Sequence, residues 1–250
     1  MAKKTVAIVG AGLVGRLAGW AAMLSGYKPT LIYRGPYGMY VPRGYVYLHE
    51  KCELPLVEHL LTVDNFGTAE GYAQKVYGDP SLPTSFWDTG PRTIYHPAQA
   101  LRLLEILQQG MTMRFDASGI KDITELLERG RFDKAIVTIP INQLFPGVNF
   151  RYVTGSVTSF PVEESTPNFC VYSGSPATSW NRAGTMFGVG FHEYPNALEG
   201  AFPITKIIKN TEPRIVPDYD GVLFTGRYGK WTGQLAHESF KEVLEWLASS

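Results

Sequence analysis

Cysteine is scarce in this chain, charge of either sign is in no excess, and no apolar run reaches membrane-spanning length. Only Cys52 and Cys170 occur in 250 residues. They lie far apart without metal-ligand spacing, so neither a disulfide framework nor a thiolate metal centre is expected. Lys and Arg number 23, and so do Asp and Glu. That balance removes any global electrostatic case for nucleic acid, while leaving local basic patches open. No stretch approaches the ~18 consecutive apolar residues of a spanning helix, so no membrane association is expected. The opening MAKK leads directly into a β-type run, so no signal peptide is expected. A soluble, cytoplasmic protein is expected. Internal repeats and low-complexity tails are missing too.

What is present begins at Thr5. Residues 5–9 (TVAIV) are rich in β-branched side chains and read as a buried parallel strand. Gly10, Ala11, Gly12, Leu13, Val14 and Gly15 follow, and residues 17–24 continue in helix-compatible composition. Strand, G-x-G-x-x-G, helix is the fingerprint of a dinucleotide-binding turn. Gly10 permits the tight turn, Gly12 lets the backbone approach a pyrophosphate, and Gly15 lets the helix lie close on the strand. The helix N-terminus then offers N–H groups and a positive dipole end to phosphate. A second apolar run, Pro29 to Tyr33, is spaced as the neighbouring strand. The plainer alternative is a glycine-rich turn in another α/β protein, and the second strand in register weighs against it. That strand normally ends in Asp or Glu for a ribose, yet here it reads Tyr33-Arg34. Arg34 suits a 2′-phosphate, a stack on adenine, or a pyrophosphate pair.

After a glycine- and proline-rich loop at 35–44, residues 45–50 alternate in a strand-like way and end in His49 and Glu50. His49 is either a polar group near the chemistry or a surface strand end. Residues 53–95 read as a small cap outside the main sheet, with a strand at 60–66 and a Thr-capped helix from Thr68. Helices are expected at 98–109 and 120–129, and strands at 111–115 and 132–140. From 150 onward, alternating segments at 152–160, 168–173 and 185–191 predict an antiparallel sheet, with Trp180-Asn181-Arg182 in a polar loop between them. Fourteen Tyr, thirteen Phe and five Trp suggest an aromatic-lined pocket in this region. The last unit is a strand at 222–225, a glycine-bounded turn at 226–229, and an amphipathic helix at 235–247. A second helix N-terminus aimed at a ligand is what a long dinucleotide such as FAD requires.

Together, GAGLVG near one end and LFTGRYGKW near the other resemble the FAD-binding proteins of the glutathione-reductase type. Within them the chain is most similar to the branch of UDP-galactopyranose mutase and the amine oxidases. The resemblance implies an α/β fold: a Rossmann-like FAD-binding domain with a parallel sheet (1–52, 97–150, 215–250) and a smaller antiparallel substrate region (53–96, 151–214). It implies that Gly226, Arg227, Gly229 and Trp231 lie against the flavin, and that SWNRAG supplies a substrate-side arginine, Arg182. The stretch from Gly67 to Gly78 (GTAEGYAQKVYG) resembles small bacteriophage flavoproteins of thymidine hypermodification. This implies oxidation of an amine, a glycyl group on thymidine in DNA, with His49, Arg182 and Arg227 as candidate catalytic groups. Arg182 and Arg227 are either a carboxylate clamp or structural ion pairs. Trp87, Tyr95 and Trp180 are candidate base-stacking residues, and Arg43, Lys51, Lys75 and Arg92 candidate phosphate contacts. A mutase-like enzyme acting on a nucleotide sugar, a small-molecule amine oxidase and a non-catalytic dinucleotide-binding module are the competing readings.

Overall fold

Strands buried on both faces lose the polar alternation of a half-exposed strand, and TVAIV is such a strand. In the computed structural model, which describes residues 3–33, 46–82, 84, 87–109, 112–115, 127, 132–145, 151–207 and 219–249, it is β1 (Thr5–Val9), the centre of a parallel sheet. Its neighbours are β2 (Lys28–Tyr33) on one side and β6 (Lys134–Val137) on the other. The outer strands are β5 (Thr112–Phe115) beside β2 and β12 (Val222–Phe224) beside β6. One face packs Val6, Ile8, Leu31 and Ile136 against the helices α1 (Leu13–Leu24), α3 (Pro97–Leu107) and α5 (Ala236–Ala248). The opposite face buries Ala7, Val9, Ile32, Ala135, Val137 and Phe224. Each fully buried Ile or Leu in these layers contributes roughly 1.5–3 kcal/mol of transfer free energy.

The second sheet has seven strands, in the order β11 (Phe202–Ile207), β7 (Tyr152–Pro161), β10 (Val189–Tyr194), β9 (Arg182–Met186), β8 (Asn168–Ser173), β3 (His59–Phe66), β4 (Gly90–Ile94). Helix α2 (Ala69–Tyr77) docks on its inner face, where Tyr72 and Val76 join Val63, Val157, Tyr172 and Phe191 in a separate core. Thr68 caps α2 by accepting from Gly71 N, and Gly78 ends it in the left-handed conformation.

Several expectations are corrected. The second sheet is mixed rather than antiparallel, because β3 pairs parallel with β8. Residues 53–95 lie outside the parallel sheet, as expected, and their strands β3 and β4 form one edge of the second sheet. The single strand expected at 185–191 is interrupted by a hairpin turn between β9 and β10, at Phe187 and Gly188, both with positive φ. Of the strand expected at 45–50, the described residues form only an isolated bridge between Leu48 and Tyr95. The helix expected at 120–129 falls almost wholly outside the described residues. The glycine turn at 226–229 is a short helix, α4 (Gly226–Lys230).

Candidate functional site

The order β6-β1-β2 puts successive strands on opposite sides of β1, and in open α/β sheets ligands bind beyond the carboxyl ends of strands at such a switch. Three distant segments meet there. Gly10 has φ +113 and donates its N–H to Ile32 O at 2.8 Å; a Cβ on it would lie 2.4 Å from Thr138 Oγ1. A Cβ on Gly15 would lie 1.9 Å from Gly10 O, so only glycine lets α1 sit this low on β1. Gly12 is the N-cap of α1 and, having no side chain, leaves the first-turn N–H groups of Leu13, Val14 and Gly15 uncapped. No acidic residue occupies that turn, so its positive end is open to an anion. Ala11 O accepts from Arg16 Nε at 3.3 Å. Arg16 itself is buried, with Nη2 3.8 Å from Glu105 Oε1 and its carbonyl held by Gln108 Nε2 at 2.6 Å.

The C-terminal motif closes on the same place. Gly226, at φ +84, lies against α1, and a Cβ there would stand 2.9 Å from Val14 Cγ1. A Cβ on Gly229 would lie 2.6 Å from Val137 O. Glu242 organises the turn: Thr225 Oγ1 donates to it at 2.7 Å, Gln234 Nε2 at 2.9 Å, and Lys230 pairs with it. Burial pushes its carboxyl up, but these donors together hold it below the ordinary value. Gly226 N donates to Gln234 Oε1 at 2.7 Å. The first N–H of α4 is therefore spent inside the protein, contrary to a second helix terminus aimed wholly at a ligand.

Of the three candidate catalytic residues, Arg227 is exposed at the start of α4 and His49 is half-buried. His49 packs beside Tyr47, with ring centroids 4.8 Å apart, and His237, at 5.7 Å. Burial lowers its pKa first, with His237, Arg92 and Arg227 adding to the effect against Glu238, so it rests neutral at neutral pH. Glu50 anchors this segment to α5 through Lys241 at 2.8 Å. Arg182 lies at the start of β9 and not in a polar loop. Its Nη2 is 2.9 Å from Glu193 Oε2 in the second sheet, and the neighbouring Asn181 is fully buried. Of the clamp and ion-pair readings, this geometry gives Arg182 the ion pair.

Tyr33 ends β2 as expected, partly buried, while Arg34 and Arg43 lie outside the described residues. Trp231 is buried in the core behind the parallel sheet, and its Nε1 donates to Arg151 O at 3.1 Å. Several candidate DNA contacts have other partners. Lys75 is surrounded by loop oxygens and Lys51 pairs with Glu58 at 2.9 Å. Trp87 packs on Tyr72 and Tyr172, and Tyr95 is buried. Sequence reasoning missed Thr138, Gln234, Glu242 and Arg16. The T-x-P after β6 was a usable signal for Thr138; the other three act through contacts that no local pattern announces.

Neither a family model nor a curated protein sequence matches the chain. Solved structures do. HpxO of Klebsiella pneumoniae, complexed with FAD and uric acid, superposes with a TM-score of 0.57 at 12% identity, over 98% of this chain and 79% of its own. MibH, a tryptophan 5-halogenase, gives 0.59 at 10% identity over 99% and 66%. The p-nitrophenol 4-monooxygenase PnpA of Pseudomonas putida gives 0.56 at 11% over 99% and 80%. At these identities the likeness is one of fold and does not select the mutase and amine-oxidase branch. The chain has the fold of these flavoenzymes: a parallel sheet joined to a separate mixed sheet.

Proposed function

We propose that the protein is an FAD-dependent oxidoreductase. The observation that carries this is the contact of Gly226 with Val14, which sets the second glycine motif directly against the first. A nicotinamide dinucleotide needs only the first. The residues fit FAD: Gly10 and Gly15 let the turn and α1 lie close on β1 and Thr138, where a Cβ on either would clash, and the first turn of α1 is left uncapped for a pyrophosphate. Ala11, Leu13 and Val14 complete that wall, and Gly226, Arg227 and Gly229 bound the far end. Bound there, FAD supplies a two-electron acceptor for a substrate hydride.

The finer reading is that the hydride donor is a carbon bearing nitrogen. Its support is His49, whose pKa burial lowers so that its neutral imidazole can accept a proton, and the exposed Arg227, whose guanidinium suits an acidic group on the same molecule. That the amine is a glycyl-thymidine in phage DNA is supported by the likeness of Gly67–Gly78 to thymidine-hypermodification flavoproteins. Many residues of that stretch also have packing tasks in α2. Comparing flavin reduction by a glycyl-thymidine nucleoside with the same group in DNA, without oxygen, separates polymer from small-molecule amine.

The cofactor test is direct. Purified protein should be yellow, with one FAD released per chain on denaturation. Gly226→Val, which drives a branched side chain into Val14, should yield folded but colourless protein. Release of NADP alone, or a colourless wild type that takes up no FAD, overturns the proposal.

A further inference from the structure

Two imidazoles grip one phenyl ring between the mixed sheet and the helices of the parallel one. Phe187 sits in the two-residue turn joining β9 to β10, and its ring packs against the core of the mixed sheet. His96, the N-cap of α3, stacks on that ring with centroids 4.2 Å apart and planes 13° from parallel. His59 of β3 meets the same ring edge-on, at 5.1 Å and 83°. A two-residue turn of this kind needs positive φ at both positions, and Phe187 takes φ +53 beside Gly188 at +78. Side chains with a Cβ are uncommon there, so contacts must hold this one. Phe187 N donates to Asn168 Oδ1 at 2.7 Å, and the histidines hold the ring. On its other side, His96 Nδ1 accepts from Ala98 N at 3.2 Å and so starts α3, whose Ala100, Leu101 and Leu104 pack into the core under the parallel sheet.

The cap works only with a neutral ring. Nδ1 accepts through its lone pair, which places the imidazole proton on Nε2. A second proton would remove that acceptor from Ala98 N and set a positive charge at the positive end of α3. Burial opposes the charge most, followed by His59 across the phenyl ring and Arg102 of α3 itself, so the His96 value lies below the ordinary 6.5. We propose that His59, Phe187 and His96 form an acid-sensitive clasp between the mixed sheet and α3, closed while His96 is neutral and opened when it takes a proton. The freed imidazole binds a proton more readily than the clasped one. The clasp is therefore at full strength above pH 6.5 and weakens as pH falls below it. Opening frays the first turn of α3 and leaves Phe187 in its costly conformation with less to hold it, so the turn between β9 and β10 loosens as well.

The test is amide hydrogen exchange of the whole protein at pH 7.5 and at pH 5.5, corrected for the intrinsic rate and read in peptides covering 96–107 and 185–190. Acid should speed exchange at least fivefold in both peptides and leave β1 and β6 unchanged. His96→Asn supplies a capping oxygen that does not titrate, so its exchange in 96–107 should be the same at both pH values. Phe187→Gly suits the turn but removes the ring: acid should still loosen 96–107, while 185–190 no longer responds. Wild-type exchange that ignores acid, or an equal response in His96→Asn, overturns the proposal. So does a turn that still responds in Phe187→Gly, because the ring is then not the link. The imidazole signals of the wild type give a reading that needs no variant. His96 should titrate below 6.5 and in step with exchange in 96–107, and a midpoint at or above 6.5 overturns the clasp as well.

Discussion

Glu193 shows how much one buried side chain can hold. It is 3% exposed, and its two oxygens receive an arginine, a lysine and an asparagine amide. Glu193→Gln would leave two cations facing an uncharged amide, a loss of about 3–5 kcal/mol for a broken buried pair. The pH dependence follows from the depressed carboxyl. Because its folded value, about 2, lies below the ordinary 4.5, the unfolded chain takes up the proton first. The contribution is complete above 4.5 and disappears as pH falls toward 2. Urea unfolding should therefore show wild type well above Glu193→Gln at pH 7 and the gap shrinking steadily below pH 4.5. A gap independent of pH would mean that packing, not charge, sets the cost. His49 adds a smaller change of the same sign, since its lowered value makes stability fall as pH drops below 6.5.

At the scale of the element, α2 explains a stretch of sequence that resemblance alone tied to a substrate. In Gly67–Gly78, Thr68 caps, Gly78 stops the helix, and Gly71 crosses Gly174 so closely that a Cβ on it would lie 2.2 Å from Gly174 O. Lys75 then reaches the loop beyond β8, where Nζ donates to Ser175 O at 2.5 Å, Thr178 Oγ1 at 2.9 Å and Trp180 O at 3.2 Å. Lys75→Met removes a charged donor from these acceptors and should cost roughly 1.5–3 kcal/mol. Urea unfolding measures it, and limited proteolysis should show new cleavage at 175–180. Equal midpoints for the two proteins would show the loop to be held by other contacts. The cap, the stop and the helix between them were legible in the sequence because each is a local signal. The reach of Lys75 across 100 residues was not. The β9–β10 hairpin carried a glycine signal at Gly188, but the other turn position is Phe187, whose positive φ its side chain gives no reason to expect. The parallel pairing of β3 with β8 was equally hidden, because alternation shows which face is buried but not which strand lies alongside. In the dinucleotide cradle the glycines were readable one by one, whereas the Gly226–Val14 contact needed the folded chain.

Across the whole molecule, the two sheets carry different tasks and share one junction. The parallel sheet carries the glycine cradle; the mixed sheet buries the Glu193 ion cluster and the rings of Tyr72 and Tyr172; α4 touches both through Gly226 and Tyr228. A ligand that fills the cradle binds the folded state alone. FAD at 100 times its dissociation constant should raise unfolding stability by about 2.7 kcal/mol, seen as a higher melting temperature that climbs with cofactor concentration. A melting temperature that does not move with FAD would place the cofactor elsewhere or nowhere.

The meeting of Val14 with Gly226 also has a meaning in time. Those residues leave the ribosome 212 positions apart, which at ordinary synthesis rates is an interval of roughly 10–40 s. For that whole period the nascent chain owns half of its cofactor cradle and cannot close the other half. Early residues must wait with their strand edges and apolar faces exposed until the last strand arrives. The cofactor is thus placed to act as a seal on a finished fold rather than as a template for one, and the vulnerable interval for this protein lies in its synthesis.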